Sequence, residues 1–238
     1  MSLEKRELLF EGGSKRLYAT DRENLAILEF KDDFLDHGGS KKARVPGKGS
    51  INASIAGFLF QYLENYHVPT HLLEQISDGE LLVRRLRMIP ISVVVHNMAS
   101  PQLAQRFRLE DGQPLDFPII EYYLKAPRLG NPQINETHAL ALGYAKMDDV
   151  RAMGRMASKA NAILKSLFDR RGLSLVEFSL EFGDAGDHVC IADEITPDTC
   201  RVLDKKKNRK LDRDRFLQDL GGIERAYREL HDRLTRAM

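Results

Sequence analysis

The stretch that decides the fold runs from residue 173 to residue 201, LSLVEFSLEFGDAGDHVCIADEITPDTCR, and it predicts two strands joined by a glycine-containing turn. In its first half the side chains alternate with a period of two, as they do in a β-strand. Such a strand, apolar on one face and polar on the other, is typical of an antiparallel sheet. The apolar face carries Val176, Phe178, Leu180 and Phe182, and the polar face carries Glu177, Ser179 and Glu181.

The return strand brings another acid to the polar face in the simplest register. With a loop at Gly183–Asp187, Phe182 pairs with His188, and Glu177 then lies directly opposite Asp193. Like charges set opposite each other in an antiparallel pair are destabilising unless a cation lies between them. Because hard divalent cations prefer oxygen ligands, this row of carboxylates is a candidate metal site. The alternative is a solvated acidic sheet face.

Composition excludes several classes of protein. The chain has 238 residues, of which 42% are hydrophobic and 30% charged, and its formal net charge is +1. This balance indicates neither nucleic acid nor an anionic membrane as a partner. We find no signal peptide and no apolar run of the ~18 residues that a membrane span needs. Cys190 and Cys200 lack a metal-type spacing, so we expect reduced thiols in a soluble, cytoplasmic protein.

The pattern of elements predicts an α+β fold with antiparallel sheets and two lobes. Residues 8–31 indicate short strands around a glycine turn, and helices are expected at 51–66 and 148–171. Strand-like segments before and after Ile89-Pro90 suggest a hinge there. We therefore predict an N-terminal lobe of residues 1–88, with one helix, and a C-terminal lobe of residues 89–238 that contains the acidic hairpin.

The glycine turn carries a second candidate site. Gly12, Gly13, Ser14 and Lys15 lie between two strand-like segments and not before a helix, so they do not form a Walker loop. A turn of this kind can fold over nucleotide phosphates, because glycines let backbone N–H groups approach closely and lysine adds positive charge. A plain hairpin turn is the alternative.

Several blocks together resemble one family. The segment ADEITPDTCR, residues 192–201, is similar to the ADE-(I/F)-(S/T)-PD-x-x-R segment of the SAICAR synthetases, and the resemblance extends from about residue 7 to residue 230. Further blocks occur in the same order: LFEGGSKRLY (9–18), FKDD (30–33), GKGSIN (47–52), VPTH (68–71), IPISVVVHN (89–97), NPQINE (131–136) and LDRDRFLQDLGG (211–222).

The resemblance implies an ATP- and Mg²⁺-dependent ligase of purine biosynthesis. These enzymes join the carboxylate of carboxyaminoimidazole ribotide to the amine of L-aspartate through an acyl phosphate, and release ADP and phosphate. The implied fold places the ATP cleft between two lobes, as in protein kinases and ATP-grasp enzymes. The implied partners are small-molecule substrates, and the oligomeric state is left open.

The resemblance also implies roles for individual residues. Lys15 and Glu177 are expected in the catalytic step, and Glu181 and Asp193 are expected to hold Mg²⁺. The residues expected around the nucleotide are Gly12, Gly13, Ser14, Lys15, Met88 and Lys125. The residues expected around the substrates are His96, Asn97, Gln102, Arg106, Ser179, Asp198 and Arg201, although Arg201 could equally form a structural ion pair.

Departures from the family pattern are concentrated on the substrate side. Cations that the family carries are replaced at Gly13, His96 and Ser179, the family's serine is replaced at Gln102, and its aspartate is Glu177. Two alternatives to the family reaction follow. The chain could be a paralogue that joins a different carboxylate and amine in specialised metabolism, or a nucleotide-binding homologue without catalysis.

Overall fold

The computed structural model describes residues 4–35 and 41–236 and confirms an α+β fold with antiparallel sheets. The first sheet has five strands in the spatial order 1-2-3-7-6, all antiparallel to their neighbours. A separate pair, strands 4 and 5, forms a small ribbon beside it. The strands are β1 (Lys5–Glu11), β2 (Lys15–Thr20), β3 (Leu25–Phe30), β4 (Asp33–Leu35), β5 (Lys42–Arg44), β6 (Leu72–Ser77) and β7 (Glu80–Arg84).

The second sheet has seven strands and is built around one long central strand. That strand is the first strand of the acidic hairpin, Leu173–Asp184. The strand Arg87–Met98 pairs with one of its edges, and the strands Val189–Ala192 and Cys200–Asp204 share the other. The strands are β8 (Arg87–Met98), β9 (Pro114–Leu124), β10 (Gln133–Ile134), β11 (Leu173–Asp184), β12 (Val189–Ala192), β13 (Cys200–Asp204) and β14 (Arg209–Lys210). Neighbouring strands follow the order β10-β9-β8-β11-β13-β14, and β12 pairs with the far half of β11.

Helices cover the apolar faces of the sheets. The first long helix packs on the first sheet, and the fourth packs on the apolar face of β11. Buried Phe178, Leu180 and Phe182 belong to this face. The expectation that Val176 shares it is wrong, because β11 has a bulge between Leu175 and Glu177 and Val176 lines a cavity together with Arg201. One continuous core includes residues from both sheets and both helices. The helices are α1 (Lys48–Glu64), α2 (Pro101–Phe107), α3 (Glu136–Ala141), α4 (Met147–Arg170), α5 (Asp214–Leu217) and α6 (Ile223–Thr235), with a single 3₁₀ turn at Pro127–Leu129.

The expected hinge at Ile89-Pro90 lies inside β8. β8 runs through Pro90 without interruption, because the proline lies at an irregularity where the register against β11 shifts between Ser92 and Met88. A proline has no N–H to donate and is tolerated in a sheet at such a bulge. The division into lobes at residue 88 stays a prediction.

Candidate active site

The first site is the point where the glycine turn of the first sheet meets the acidic hairpin of the second. Gly12 N donates to Lys15 O at 2.9 Å, which closes the turn between β1 and β2. From this turn the Lys15 ammonium reaches the carboxylate of Asp193 at 2.5 Å and Glu194 Oε1 at 2.7 Å. Ser14 Oγ donates to Glu194 Oε1 at 3.2 Å. Two sheets that are distant in sequence therefore meet through one lysine and two acids.

Burial shapes the charges of this cluster. Burial opposes the positive charge of Lys15, but the carboxylates of Asp193 and Glu194 outweigh it and raise the lysine's pKa. Burial also opposes the charge of Glu194, yet Lys15 and the hydrogen bond from Thr196 lower its pKa. For Asp193, burial together with repulsion from Glu181 and Glu194 prevails over the attraction of Lys15 and raises the pKa to about 6.

The register of the acidic hairpin differs from the expected one. Phe182 pairs with Ile191 and not with His188, because β11 continues through Gly183 and Asp184 and the loop comprises residues 185–188. Glu181 consequently pairs with Ala192, and Glu177 does not lie opposite Asp193. The proposed opposition of those two acids is wrong.

Asp193 leaves the alternation of its strand and reaches Lys15 of the glycine turn. Continued alternation from Ala192 would turn Asp193 to the other face. The strand ends instead, and Asp193 adopts a left-handed backbone with φ 66°. Aspartate tolerates this conformation better than most residues, and such positions are frequent at functional sites. Burial and, against the attraction of Lys15, repulsion from Glu181 contribute to the raised pKa of Asp193.

The donor set fits a magnesium ion that is shared with a nucleotide. The carboxylates of Glu181, Asp193 and Glu194 face two ammonium groups, Lys15 and Lys125, the latter paired with Glu181. Within the described ranges, no group of three or more His, Cys, Asp and Glu side chains could by itself hold a metal. Mg²⁺ does not require such a cage, since it keeps waters and takes one or two carboxylates plus phosphate oxygens.

The second site is a wall of alternating charges on the polar face of the second sheet. His96 lies between two acids, with its Nδ1 2.9 Å from Glu177 Oε2 and its Nε2 3.3 Å from Glu121 Oε2. Arg106 holds Glu121 through two contacts, at 2.8 and 3.0 Å. Arg201 pairs with Glu177 on one side. We call the chain Arg106, Glu121, His96, Glu177, Arg201 the substrate wall.

The strand register explains why these side chains meet. Glu177 pairs with His96 on β8 and with Arg201 on β13, and directly paired residues share a face. Glu121 is diagonal to His96 on β9. Burial opposes the charge of Glu121, but hydrogen bonds from His96, Arg106 and Tyr123 lower its pKa. The Glu121 carboxylate is therefore fully engaged within the protein.

Comparisons with known proteins agree on one family. The family model for SAICAR synthetase matches residues 8–234. The chain belongs to the SAICAR synthetase family. A phosphoribosylaminoimidazole-succinocarboxamide synthase of Desulfitobacterium hafniense (strain DSM 10664 / DCB-2) is 42% identical over 236 residues, covering 99% of each chain.

Solved SAICAR synthetases have the same fold. The enzyme of Ehrlichia chaffeensis superposes with a TM-score of 0.94 at 35% identity, covering 98% of this chain and 100% of the other. A SAICAR synthetase (Type-2) in complex with ADP superposes with a TM-score of 0.93 at 40% identity, covering 97% and 98%. Family membership confirms the expectation of an ATP-dependent, amide-forming ligase. Among the helices of the described residues, none has the length and apolar character that a membrane crossing needs.

Two residues expected around the substrates do not face the wall. Asn97 follows His96 on β8, so its side chain points to the opposite face, where it exchanges two hydrogen bonds with Asn161 at 2.8 and 2.9 Å. The Asp198 carboxylate is buried and accepts from Lys48, Asn52 and Tyr227 at 2.6, 2.8 and 2.7 Å. Both side chains are thus engaged within the protein, and the expectation that they bind substrate stays a prediction.

Four further residues were expected around the nucleotide or the substrates: Ser179, Gln102, Met88 and Gly13. Ser179 is on the same face as Glu177, and its N–H donates to Thr199 O at 3.0 Å. Gln102 is exposed at the start of α2, with Oε1 3.5 Å from Arg201. Met88 is 42% exposed and pairs with Gly183 on β11. Gly13 lies against Leu35, whose Cβ would be 3.0 Å from an added Cβ.

Sequence reasoning missed four charged residues. Glu194, next to Asp193 in the ADE motif, was not predicted as a site residue, although it contacts Lys15. Lys31 lies at the glycine turn, where it donates to Gly12 O at 3.1 Å. Lys48 is fully buried against Asp198, and Glu121 is held at the centre of the wall. A charged residue inside an apolar run, as at Glu121 in PIIEYYLK, was the available signal.

Proposed function

We propose that the protein is an ATP- and Mg²⁺-dependent ligase that joins a carboxylate to an amine through an acyl phosphate. The observation that carries this proposal is the meeting of Lys15 with Asp193 and Glu194, at 2.5 and 2.7 Å, beside Glu181. It combines a phosphate-binding turn with oxygen ligands for a cation. The ADP complex of a 40% identical relative supports the nucleotide assignment.

The proposal includes two lobes with the ATP site in the cleft between them. Gly12, Gly13 and Ser14 would lie over the phosphates, with Lys15 neutralising their charge. Met88 would cover the base with its exposed thioether, and Lys125 would release Glu181 to the metal when the nucleotide enters. Mg²⁺, held by Glu181 and Asp193, would draw charge from the phosphate oxygens.

The reaction proceeds in two balanced steps. A carboxylate oxygen attacks the γ-phosphorus of ATP, so that an O–P bond forms while the bond to ADP breaks. Lys15 stabilises the negative charge that moves onto the phosphate oxygens. The amine nitrogen then attacks the acyl carbon, forms the C–N bond and expels phosphate. Glu177, at the substrate wall, would accept the proton that the amine loses.

The family reaction is the first candidate for the substrates. It consumes carboxyaminoimidazole ribotide, L-aspartate and ATP and yields SAICAR, ADP and phosphate. The match over residues 8–234 supports it. The remaining wall residues, His96, Gln102, Arg106, Ser179 and Arg201, would contact the two organic substrates.

A paralogous ligase with other substrates is the second candidate. One observation favours it: within the described residues, His96, Arg106 and Arg201 are each already paired with an internal carboxylate. A wall in this state offers less attraction to an anionic substrate than unpaired cations would.

Calorimetry and phosphate release test the proposal. ATP should bind the purified protein in the presence of Mg²⁺ and bind at least about tenfold more weakly in EDTA. Phosphate release should require both a carboxylate and an amine substrate. Magnesium-independent binding of ATP, or no binding, would refute the proposal. Binding without turnover of the family pair would support the second candidate.

A further inference from the structure

A pair of buried amides lies on the face of the second sheet that is opposite to the substrate wall. Asn97 on β8 and Asn161 on α4 are 7% and 4% exposed. Each side chain donates to the other, with Asn97 Nδ2 2.8 Å from Asn161 Oδ1 and the reverse bond at 2.9 Å. The neighbouring residues of the same helix face, Ala157, Ala160 and Leu164, belong to the apolar core. Amides in such surroundings are costly unless they are bonded, so their presence needs an explanation.

A further hydrogen bond from Asn97 reaches an irregular point of β11. Asn97 Nδ2 also donates to Leu175 O at 3.2 Å. Leu175 and Glu177 pair with consecutive residues of β13, so Val176 is one residue in excess. One extra residue on one strand of an antiparallel pair is a β-bulge. Asn97 therefore connects the bulge of β11 to Asn161 on the helix behind it.

The bulge determines on which face the acid of the wall lies. Residues 173, 175 and 177 are two apart, so a regular strand would put their side chains on one face. Leu173 and Leu175 are nevertheless buried in the core, as is Phe178. The extra residue Val176 shifts the alternation by one position. Glu177 consequently lies on the opposite face, where it contacts the basic side chains of the wall.

The pairing of β8 is irregular at the same place. His96 pairs with Ile119 on β9, whereas Met98 pairs with Pro114, so the register breaks at Asn97. Irregularities of this kind are frequent next to functional sites, where they change the direction of a side chain. Here the residue at the break follows directly after a member of the substrate wall.

We propose that the Asn97–Asn161 pair is a positioning pair for the substrate wall. It holds the bulge of β11 and the end of β8 against α4, and so keeps His96 Nδ1 and Glu177 Oε2 on one face at 2.9 Å. Asn161 needs no contact with a substrate for this role. The kinetic consequence of this inference rests on the proposed ligase function, whereas its structural consequence does not.

Hydrogen exchange tests the pair in the protein without ligands. Asn161→Leu keeps the approximate volume of the side chain and removes both bonds to Asn97. The backbone amides of residues 175–178 should then exchange at least about tenfold faster relative to those of residues 180–183 on the same strand. Asn161→Ser, which shortens the side chain but leaves it polar, replaces this variant if Asn161→Leu does not fold, with the same expected ratio.

The control is a variant that weakens the same helix without touching the amides. Leu164→Ala removes a fully buried side chain of α4 and leaves a cavity in the core. It should accelerate exchange along β11 evenly. An equal ratio in the two variants, or no acceleration at residues 175–178 in the Asn161 variant, would overturn the inference.

Steady-state kinetics tests the consequence for the wall. The reaction is followed with Mg–ATP, L-aspartate and carboxyaminoimidazole ribotide. Asn161→Leu should lower kcat/KM for the carboxylate substrate by at least about tenfold, while KM for Mg–ATP changes by less than about twofold. Leu164→Ala, compared at an equal folded fraction, should change neither value by more than about twofold. A parallel loss for both substrates would show a general defect and overturn the positioning role.

The two readouts separate this inference from the proposed function. A wild type that binds Mg–ATP without turning over the ribotide and L-aspartate would count against the family reaction, and the exchange ratio would still decide on the positioning pair. Normal turnover together with an unchanged exchange ratio in Asn161→Leu would overturn the positioning pair and leave the ligase intact.

Discussion

The two charged regions of the molecule differ in how completely the protein satisfies them. At the nucleotide side, the three carboxylates of the acidic hairpin face two lysines. Lys15 comes from the first sheet, and Lys125 follows a strand of the second. At the substrate wall, basic and acidic side chains alternate from Arg106 to Arg201, and each basic side chain already contacts an acid. An excess of acids leaves room for a metal ion, whereas an alternating chain does not attract a further charge. The first region therefore has negative charge that a cation could neutralise, whereas the second satisfies its charges internally.

The largest expected effect concerns the loop that connects the two regions. It carries Asp193 at one end and precedes Arg201 at the other, and the buried Lys48–Asp198 pair anchors it. Asp198→Asn removes the counter-ion of a fully buried lysine, so the free energy of unfolding should fall by about 3–5 kcal/mol. Denaturant titration measures this loss. Asp219→Asn, at an exposed pair with Lys41, should cost less than about 1 kcal/mol. Equal costs would contradict the anchoring role.

Removal of the lysine that joins the sheets tests the nucleotide side directly. Lys15→Met keeps the length of the side chain but removes its charge, and the dissociation constant of Mg–ATP should rise by about a hundredfold. Lys5→Met, on neighbouring β1, removes a lysine that pairs with Glu29 and Glu80 away from the site. That control should change Mg–ATP affinity by less than about twofold. A similar small effect in both variants would refute the role of Lys15.

Asp193→Asn removes the charge of this residue without changing its backbone conformation. Asparagine tolerates the left-handed conformation that Asp193 adopts, so the fold should persist. The affinity for ATP in Mg²⁺ should fall by about tenfold, with little change in EDTA. Asp184→Asn on the same hairpin, where the acid pairs with Arg87, is the control. An equal loss with and without Mg²⁺ would count against metal binding at Asp193.

The smallest expected effect concerns the missing lysine of the glycine turn. Gly13→Lys and Gly13→Ala both bring a Cβ to about the same place against Leu35, so their comparison isolates the added charge. The lysine variant should bind Mg–ATP about twofold to fivefold more tightly than the alanine variant. A gain of a hundredfold would show that the nucleotide side is incomplete without it.

Periodicity predicted most of the fold because the buried faces are regular. Helices expected at 51–66 and 148–171 are found at Lys48–Glu64 and Met147–Arg170. Phe178, Leu180 and Phe182 of β11 are buried in the core as expected, whereas Val176 is displaced by a bulge that the period of two does not predict. The register of the hairpin was not predictable in this way, since it depends on where the loop begins and on its length. A shift of three residues separated Glu177 from Asp193.

The sequence predicted which residues form the candidate site, but it did not predict which side chains contact one another there. The motif around Asp193 and the turn at Lys15 indicated a nucleotide site, and the structure brings them together. The engagement of Asp198 by Lys48 could not be predicted, because the two are 150 positions apart and meet only through α1 packing. The face on which Asn97 lies could have been predicted from the alternation of side chains along β8, because Asn97 directly follows His96. The family motif groups the two residues and does not indicate that they point to opposite faces.

One measurement tests the central claim most directly: anomalous diffraction from a crystal grown with Mn²⁺ and a non-hydrolysable ATP analogue. The account predicts a manganese peak within about 2.5 Å of carboxylate oxygens of both Glu181 and Asp193, with the Lys15 ammonium on the phosphates. A peak elsewhere, or a nucleotide bound away from Lys15, would contradict it.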